Sequence, residues 1–388
     1  MKIALITLHT PSETNCGGAS ALPWHLLANR PEGVDVEVWS MNQNRISEAD
    51  SEEYARRGGY RLHFVKRNDE RLARALRLRA VRSLPPMCVL DLDAESERAI
   101  REGNFDGVWI YGEELSHIGR RFADKRVVMT GPDCEALYYE RLLAMPQSFL
   151  MRLRYGLAGS KYRCLAKSHP KGVICHVVGE ADRECLQRMR SDLDGRFLRQ
   201  PHYEFRARKQ DVFSEERIKL LIAGRNDIYM GELTTEACRA LAASPELAER
   251  YRVTFLGKGW ESVAEELRNA GFDVEVLTWV DDYIGEIQRH DIQLTAISVG
   301  TGTKGKVLDA LANGLLVIGT ERALENIAVR DGESCVEYSD IDKLIDVLRE
   351  IPVQRDRYRA LAQRGQENVL NEHGARKIAK EFFEMFEK

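Results

Sequence analysis

Residues 297–320 read ISVGTGTKGKVLDALANGLLVIGT. The stretch opens on an apolar run up to Val299 and passes through a loop at 300–306 that holds three glycines and two lysines. Apolar residues at helical spacing follow, and a second apolar run begins at 315. Strand, glycine-rich turn, helix and strand in this order form one unit of a parallel α/β sheet. The stretch therefore predicts a doubly wound fold for this part of the chain.

The loop inside this stretch has the composition of an anion site. Gly300, Gly302 and Gly305 allow sharp turns that bring backbone N–H groups close to a ligand. Lys304 and Lys306 add full positive charges at the start of the helix. The spacing matches neither the GxxxxGK[ST] phosphate loop nor the GxGxxG dinucleotide motif. A tight turn with solvated lysines is the alternative, but the density of glycine and lysine favours a bound diphosphate.

Apolar runs of strand length recur on both sides of this unit, separated by helical or turn-forming segments. In the first half they lie at 3–8, 34–41, 60–65, 107–111, 126–131 and 172–179. In the second half they lie at 219–224, 251–257, 273–280, 292–299, 315–320 and 334–339. A chain of 388 residues exceeds one ordinary core. We therefore predict two Rossmann-like, doubly wound α/β domains joined by a polar linker at 199–217.

Composition narrows the classes of function. The chain carries 57 basic and 61 acidic residues, so no overall positive field is present to hold nucleic acid. Its eight cysteines include no CxxC pair, which predicts free thiols in a reducing cytoplasm rather than a zinc site or a disulfide framework. No stretch approaches the ~20 apolar residues that span a bilayer. We therefore expect a cytoplasmic protein whose contact with a membrane is at most peripheral.

The stretch at 297–320 resembles the donor-site segment of GT-B glycosyltransferases, in the retaining family-four type known as group 1. The residues that carry the resemblance are Gly300, Gly302, Lys304, Lys306, Val307, Leu308, Ala310, Ala312, Gly314, Val317 and Thr320. Residues 219–243 and 251–261 resemble the first two strand units of the nucleotide-sugar domain of that family. The resemblance covers nearly all of the second half of the chain, whereas in the first half it is architectural.

This family has two Rossmann-like domains that face each other across a cleft, and the resemblance implies the same organisation here. Residues 1–200 correspond to the acceptor-binding domain and residues 201–375 to the nucleotide-sugar-binding domain. The terminal helix at 376–388 has an apolar stripe and is expected to return to the first domain.

The resemblance also implies roles in donor binding. The family motif has two glutamates eight positions apart, and here those positions are Thr301 and Asp309. Asp309 would hold the ribose hydroxyls of the donor, whereas Thr301 would meet the sugar only as a neutral partner. Trp279 lies where relatives contact the nucleobase, although a buried core tryptophan explains it equally well. The expected donor-binding residues are Gly17, Gly18, Arg225, Thr278, Trp279, Val280, Gly300, Thr301, Gly302, Thr303, Lys304, Lys306 and Asp309.

The catalytic residues of the first domain follow less directly from the resemblance. The family often has a histidine just after the fourth strand, but this chain reads YGEE at 111–114. By position the candidates are Glu113, His117 and Asp133, and helix caps or ordinary polar residues are the alternative. Enzymes of this type are thought to run a front-face substitution, so a glycosidase-like pair of carboxylates is not required.

The expected donor is a nucleotide-diphosphate sugar, with no further cofactor and no metal ion. The basic residues Lys304, Lys306 and Arg225 would neutralise the diphosphate, and the donor region has no DxD-type carboxylate cluster.

Two stretches of the first half are basic and have helical leucine spacing. Residues 66–82 carry seven basic and two acidic residues, and residues 141–171 carry seven basic residues and no acidic one. Such helices bind anionic membranes, although a solvated helix face is the alternative. The resemblance implies a glycosyltransferase that acts on a cell-surface glycan or glycolipid, and the two basic stretches favour a position at the inner face of the membrane. A nucleotide-sugar epimerase and a non-catalytic partner subunit are the alternatives.

Overall fold

The computed structural model describes residues 1–13, 19–207 and 211–387. The chain forms two compact units. The first comprises Met1–Pro201 and Ala375–Lys388, and the second comprises His202–Gly374.

Thirteen strands occur in the described part of the chain, and every pairing between them is parallel. The strands of the first unit are β1 Lys2–Thr7, β2 Asp35–Ser40, β3 Arg61–Phe64, β4 Gly107–Tyr111, β5 Arg126–Thr130, β6 Ile174–Val177 and β7 Asp194–Phe197. Those of the second unit are β8 Ile218–Ala223, β9 Tyr251–Leu256, β10 Asp273–Leu277, β11 Ile292–Thr295, β12 Leu316–Gly319 and β13 Val336–Glu337.

Helices alternate with these strands along the chain. They are α1 Ala21–Ala28, α2 Glu48–Gly58, α3 Asp69–Arg77, α4 Ala94–Glu102, α5 Glu135–Ala144, α6 Phe149–Lys167, α7 Glu180–Met189, α8 Gly231–Ala242, α9 Glu261–Asn269, α10 Tyr283–Ile287, α11 Gly305–Ala312, α12 Glu321–Leu324, α13 Ile341–Glu350, α14 Arg355–Glu372 and α15 Ala375–Glu384. Three 3₁₀ helices lie at Pro86–Val89, Glu113–Phe122 and Pro245–Leu247. Among the described residues, none of the helices is both long and apolar enough to cross a bilayer.

Each unit is built on a doubly wound sheet. The first has the order β3-β2-β1-β4-β5-β6-β7 and the second the order β10-β9-β8-β11-β12-β13. Central strands such as Ile3–Ile6 of β1 are fully buried along their whole length, because helices cover both faces of a parallel sheet. The two predicted Rossmann-like domains are therefore confirmed. The first sheet has seven strands rather than six, because β7 reads DGRF and lacks the apolar run that marks a strand.

The terminal helix α15 belongs to the first unit. Phe382, Phe383 and Phe386 are buried in a core cluster that also contains Trp109 of β4. The rings of Phe382 and Trp109 have centroids 4.5 Å apart. A β-carbon on Gly107 would lie only 2.5 Å from Cδ1 of Phe386, so the helix seats directly against the start of β4. This helix is thus a structural part of the first core.

The segment predicted as a polar linker is partly core. Val212 and Phe213 are buried in the second unit, and the backbone N–H of Phe213 donates to Oδ1 of Asp291 at 2.7 Å. The polar composition of 199–217 concealed these two apolar anchors.

The seven described cysteines are all free thiols.

Candidate functional site

The second sheet has its topological switch point between β8 and β11, because β9 lies on one side of this pair and β12 on the other. Ligands of doubly wound sheets bind at the carboxyl edge of such a point. The loop after β8 begins at Gly224, and the loop after β11 leads to Gly300. Ser298 joins the two loops, since its N–H and its hydroxyl both donate to the carbonyl oxygen of Tyr229, at 2.9 and 3.1 Å.

Glycine is required at the first turn because the backbones approach too closely for a side chain. Gly224 has φ +150°, and a β-carbon there would lie 2.3 Å from Sδ of Met230. A β-carbon on Gly257 would lie 2.0 Å from the carbonyl oxygen of Gly224. The buried Trp260 holds the same carbonyl by donating its indole N–H at 2.8 Å. The turns after β8 and β9 therefore pack backbone against backbone.

The second glycine loop wraps around a lysine. Gly300 and Gly302 have φ values of +150° and +62°. The ammonium of Lys304 donates to the carbonyl oxygens of Thr301 at 2.9 Å and of Gly302 at 3.2 Å. Asn326 donates to the Gly302 carbonyl at 2.8 Å. These bonds hold the loop in place just before α11 begins at Gly305.

Three further cations surround these glycine turns. Lys306, on the first turn of α11, is exposed, and its Nζ lies 3.7 Å from the position that a β-carbon on Gly224 would occupy. Arg225 and Lys258 are also exposed and directly follow Gly224 and Gly257. The structure thus brings the predicted lysine loop and Arg225 to one edge of the sheet, where the positive charge and the N-terminus of α11 favour an anion.

Asp309 lies one turn further along α11 and is half-buried. Burial, with repulsion from Glu204, raises the pKa of its carboxyl to about 7, and attraction to Lys306 partly opposes the rise. Among the described residues, none donates a hydrogen bond to this carboxylate. Such a carboxylate is available to accept hydrogen bonds from a ligand.

Trp279 is an exposed residue, so the alternative that it is a core tryptophan is wrong. Its side chain is 78% exposed, because β10 ends at Leu277 and the chain leaves the sheet before reaching it. Thr278 is exposed as well, whereas Val280 is partly buried against the core. The predicted residues Gly17 and Gly18 lie outside the described residues.

In the first unit, Glu113 is the first residue of the 3₁₀ helix that follows β4, next to the switch point between β1 and β4. Its side chain is buried, and its Oε1 has no hydrogen-bond partner among the described residues. Burial raises the pKa of this carboxyl well above its usual range, and repulsion from neighbouring acids adds to the rise. Those acids are Glu114, Glu135, Asp133 and Asp182. The fold therefore brings five carboxyl groups together at this edge. They come from the 3₁₀ helix after β4, from the loop and helix that follow β5, and from α7.

Two of the three predicted catalytic residues belong to this cluster. Asp133 is exposed and acts electrostatically on both Glu113 and Glu135, and burial together with Asp133 raises the pKa of Glu135 to about 7. His117 touches this cluster only through the backbone, since its Nδ1 is 3.2 Å from the carbonyl oxygen of Glu114, and the carboxylate next to its Nε2 is that of Asp91, at 3.9 Å. Burial lowers the pKa of His117.

Several residues of these edges had no signal in the sequence. Glu135, Asp182 and Tyr162 join the acidic cluster only through the fold. Met230 and Trp260 shape the glycine turns from positions that read as ordinary core residues.

Residues 234–384 match the protein-family model described as "Glycosyl transferase-like". No curated protein matches the sequence significantly. Sucrose-phosphate synthase from Thermosynechococcus elongatus is similar in structure, with TM-score 0.67 and 15% identity over 100% of this chain and 98% of that chain. Anabaena Alr3699/HepE in complex with UDP-glucose gives TM-score 0.63 and 12% identity over 99% and 98%. WaaG, a glycosyltransferase involved in lipopolysaccharide biosynthesis, gives TM-score 0.62 and 14% identity over 100% of both chains.

The fold of these structures and the family match over most of the second unit agree with each other and with the glycine and lysine loop at the switch point. The second unit therefore carries a glycosyl transferase-like family match, and the whole chain has the two-domain GT-B fold of these solved structures.

Proposed function

We propose that this enzyme transfers a sugar, with retention, from a nucleotide-diphosphate sugar to a hydroxyl of a cell-surface glycan or glycolipid. The observation that carries the proposal is the meeting of two glycine turns at the switch point, with Lys306 lying against Gly224. In this proposal the backbone N–H groups and the ammonium group at this edge bind the diphosphate. The structural neighbours in complex with UDP-glucose and in lipopolysaccharide biosynthesis support the donor and acceptor classes.

In this proposal the donor lies along the carboxyl edge of the second sheet. The diphosphate meets the N–H groups at the start of α11, and Lys306 and Arg225 neutralise it without a metal ion. Asp309 accepts hydrogen bonds from the ribose hydroxyls. The exposed Trp279 lies on the side where the nucleobase is expected, and a tryptophan with 78% of its surface free offers a stacking face.

The proposed transfer is a front-face substitution. The acceptor hydroxyl attacks the anomeric carbon from the side that the diphosphate leaves, and the bond from that carbon to the phosphate oxygen breaks. The electron pair stays on the phosphate, which also receives the proton of the hydroxyl. The cations of the donor loop stabilise the charge that develops on the leaving group. Glu113 and Asp133 are the groups proposed to position the acceptor hydroxyl.

Calorimetric titration with UDP tests the donor site. Loss of a charge-assisted hydrogen bond costs about 1.5 to 3 kcal/mol, so Lys306→Ala should weaken UDP about tenfold or more. Lys343→Ala is the matched control, because Lys343 is an exposed lysine of the same unit that pairs with Asp331. Equal UDP affinity in the wild type and both variants would remove the basis of the phosphate assignment.

A surface of the first unit supports a membrane-bound acceptor. The end of α3 and the helix α6 are linked where the ammonium of Lys161 donates to the carbonyl of Arg79. Both segments are basic, as the sequence shows, and both expose large apolar side chains. The exposed side chains are Leu76, Leu78, Val81, Phe149, Leu150, Leu153 and Leu157. Apolar side chains framed by Arg and Lys match the interface of an anionic bilayer.

Vesicle flotation tests this surface. The wild type should float with vesicles that contain phosphatidylglycerol and not with phosphatidylcholine alone, and Phe149→Ser/Leu150→Ser should reduce flotation. Val353→Ser is the control, because Val353 is 84% exposed but lies in the second unit. Unchanged flotation of the double variant would contradict the membrane role of α6.

An epimerase is the second candidate, because the five carboxyl groups around Glu113 form the kind of acid and base cluster that isomerisation of a sugar needs. The two activities separate in one assay. An epimerase converts the nucleotide sugar without an acceptor, whereas a transferase releases nucleoside diphosphate in proportion to the acceptor supplied.

A further inference from the structure

A cavity of about 450 Å³ opens at the amino edge of the first sheet. Its walls are the end of the 3₁₀ helix at Glu113–Phe122 with the residues that lead into β5, the segment 167–173 from the end of α6 to the residue before β6, and Arg190 after α7. Glu113 and the acidic cluster lie at the carboxyl ends of the same strands. The cavity is therefore at the opposite edge of the sheet from the candidate acceptor groups.

The wall of this cavity is strongly basic. Five cations line it, namely Arg120, Lys125, Lys167, Lys171 and Arg190. Two carboxylates offset part of this charge, since Arg190 pairs with Asp192 at 2.6 Å and Lys125 lies 3.9 Å from Asp124. An excess of positive charge remains on a chain whose formal net charge is −4. Such a local excess attracts anions.

Backbone carbonyl oxygens already hold three of the cations in place, and one of these is Lys125, whose ammonium donates to the carbonyl of Phe105 at 3.2 Å. Arg120 donates to the carbonyl of Ser168 at 2.8 Å, and Arg190 donates to the carbonyl of Lys167 at 2.8 Å and of His169 at 3.2 Å. The segment 167–169 is therefore clamped from two sides. A rigid basic wall loses little entropy when an anion binds.

His169 is the second observation that points to a ligand. His169 is one of the residues that line the cavity and is only 3% exposed, yet neither ring nitrogen has a hydrogen-bond partner among the described residues. A buried polar group without a partner costs free energy, which a ligand oxygen would recover. Burial, and then the charge of Arg190, lower the pKa of His169 to about 4, so at neutral pH the ring carries one N–H donor.

We propose that this cavity binds a small phosphorylated ligand, with its phosphate group between Lys167, Lys171 and Arg190 and within reach of the His169 ring. A volume of about 450 Å³ is in the range of small-molecule sites and leaves room for more than one phosphate group alone. The phosphate belongs either to a soluble monoester or to the headgroup of a lipid. This site is independent of the donor site in the second unit, so either assignment can fail without the other.

Calorimetric titration of the full chain tests the proposal with inorganic phosphate, glycerol 3-phosphate and a short-chain phosphatidic acid below its micelle concentration. Sodium chloride at matched ionic strength is the blank. Lys167→Gln/Lys171→Gln should weaken binding about tenfold or more. Lys377→Gln/Lys380→Gln is the matched control, because both lysines are exposed on α15 in the same unit, and it should bind as the wild type does. Tighter binding of the phosphatidic acid than of glycerol 3-phosphate identifies a lipid source, and equal or weaker binding a soluble one.

The ring of His169 provides a readout that general charge attraction would not change. Its ¹⁵N resonances should shift on saturation with phosphate in the wild type and in the control variant. In His169→Phe these resonances should be absent, and the variant should lose part of its affinity for phosphate. The proposal is overturned if the lysine double variant binds all three probes as tightly as the wild type, or if the His169 resonances do not move when phosphate binds.

Discussion

Replacement of Asp309 by asparagine should stabilise the second unit at alkaline pH. The carboxyl is half-buried on α11 beside Glu204, and its pKa rises from an ordinary value of 3.8 to about 7. A raised pKa means that the folded state binds the proton more tightly than the unfolded state does. The resulting penalty is absent below about pH 3.8, grows as the pH rises, and is complete above about pH 7. Asparagine has nearly the same shape and no charge, so it escapes this penalty.

The magnitude follows from the same pKa. A rise from 3.8 to about 7 corresponds to roughly 4 kcal/mol at full ionisation, at about 1.36 kcal/mol per pKa unit. That value is a ceiling, because the side chain is partly exposed and Lys306 lies nearby. We compare the free energy of unfolding of Asp309→Asn with that of the wild type at each pH. We expect this difference to favour the variant by about 1 to 3 kcal/mol more at pH 8 than at pH 4.5.

Urea unfolding at the two pH values measures this difference, with tryptophan fluorescence as the signal. Asp282→Asn is a control of opposite sign in the same unit. The Asp282 carboxylate accepts from the N–H of Gly285 at 3.0 Å and from Arg206 at 2.7 Å, and these bonds lower its pKa. Its stabilising contribution is present at pH 8 and is lost in acid, so the control variant should be destabilised at pH 8. An Asp309→Asn variant with the same relative stability at both pH values would refute the buried-carboxylate reasoning.

The same substitution separates a cost in stability from a role in binding. If the ionised Asp309 accepts hydrogen bonds from the ribose, UDP should bind the wild type more tightly at pH 8 than at pH 6, beyond the change seen with a 2′,3′-dideoxy analogue. Asp309→Asn should show no such excess. Equal pH dependence of UDP and its dideoxy analogue in the wild type would remove Asp309 from the ribose site.

Three further predictions concern single side chains. Phe382→Ala should destabilise the first unit by about 3 to 5 kcal/mol in calorimetric melting, because the ring is fully buried against Trp109, and a wild-type melting profile would contradict this. Gly224→Ala should weaken UDP binding, since the new methyl group would meet Met230 at 2.3 Å, whereas Gly156→Ala, on α6, has open space without a left-handed backbone and should bind UDP normally. Trp279→Ala should weaken UDP by about 1 to 3 kcal/mol if the base stacks on it, and ribose 5-phosphate should bind both proteins equally.

Local chemistry determined the parts of this protein that the sequence alone could predict. The glycines and lysines at 300–306 describe a turn before a helix, and such a turn needs no distant partner. The apolar runs of the central strands identify both sheets for the same reason, because a strand covered on both faces must be apolar throughout. The strand order of the second sheet, β10-β9-β8-β11, then follows from the preferences of doubly wound folds. It places β8, which leads to Arg225, beside β11, which leads to the lysine loop.

Only the tertiary structure decided which distant residues share an environment. The carboxyl groups of Glu113, Glu135 and Asp182 lie far apart along the chain. They repel one another only because the helices that carry them begin at the same edge of the first sheet. The exposure of Trp279 depends on where β10 ends, and composition cannot tell a core tryptophan from a surface one. The unpartnered ring of His169 depends on the walls of a cavity formed by three separate stretches of the chain. Burial and proximity are properties of the packed chain, so no local pattern encodes them.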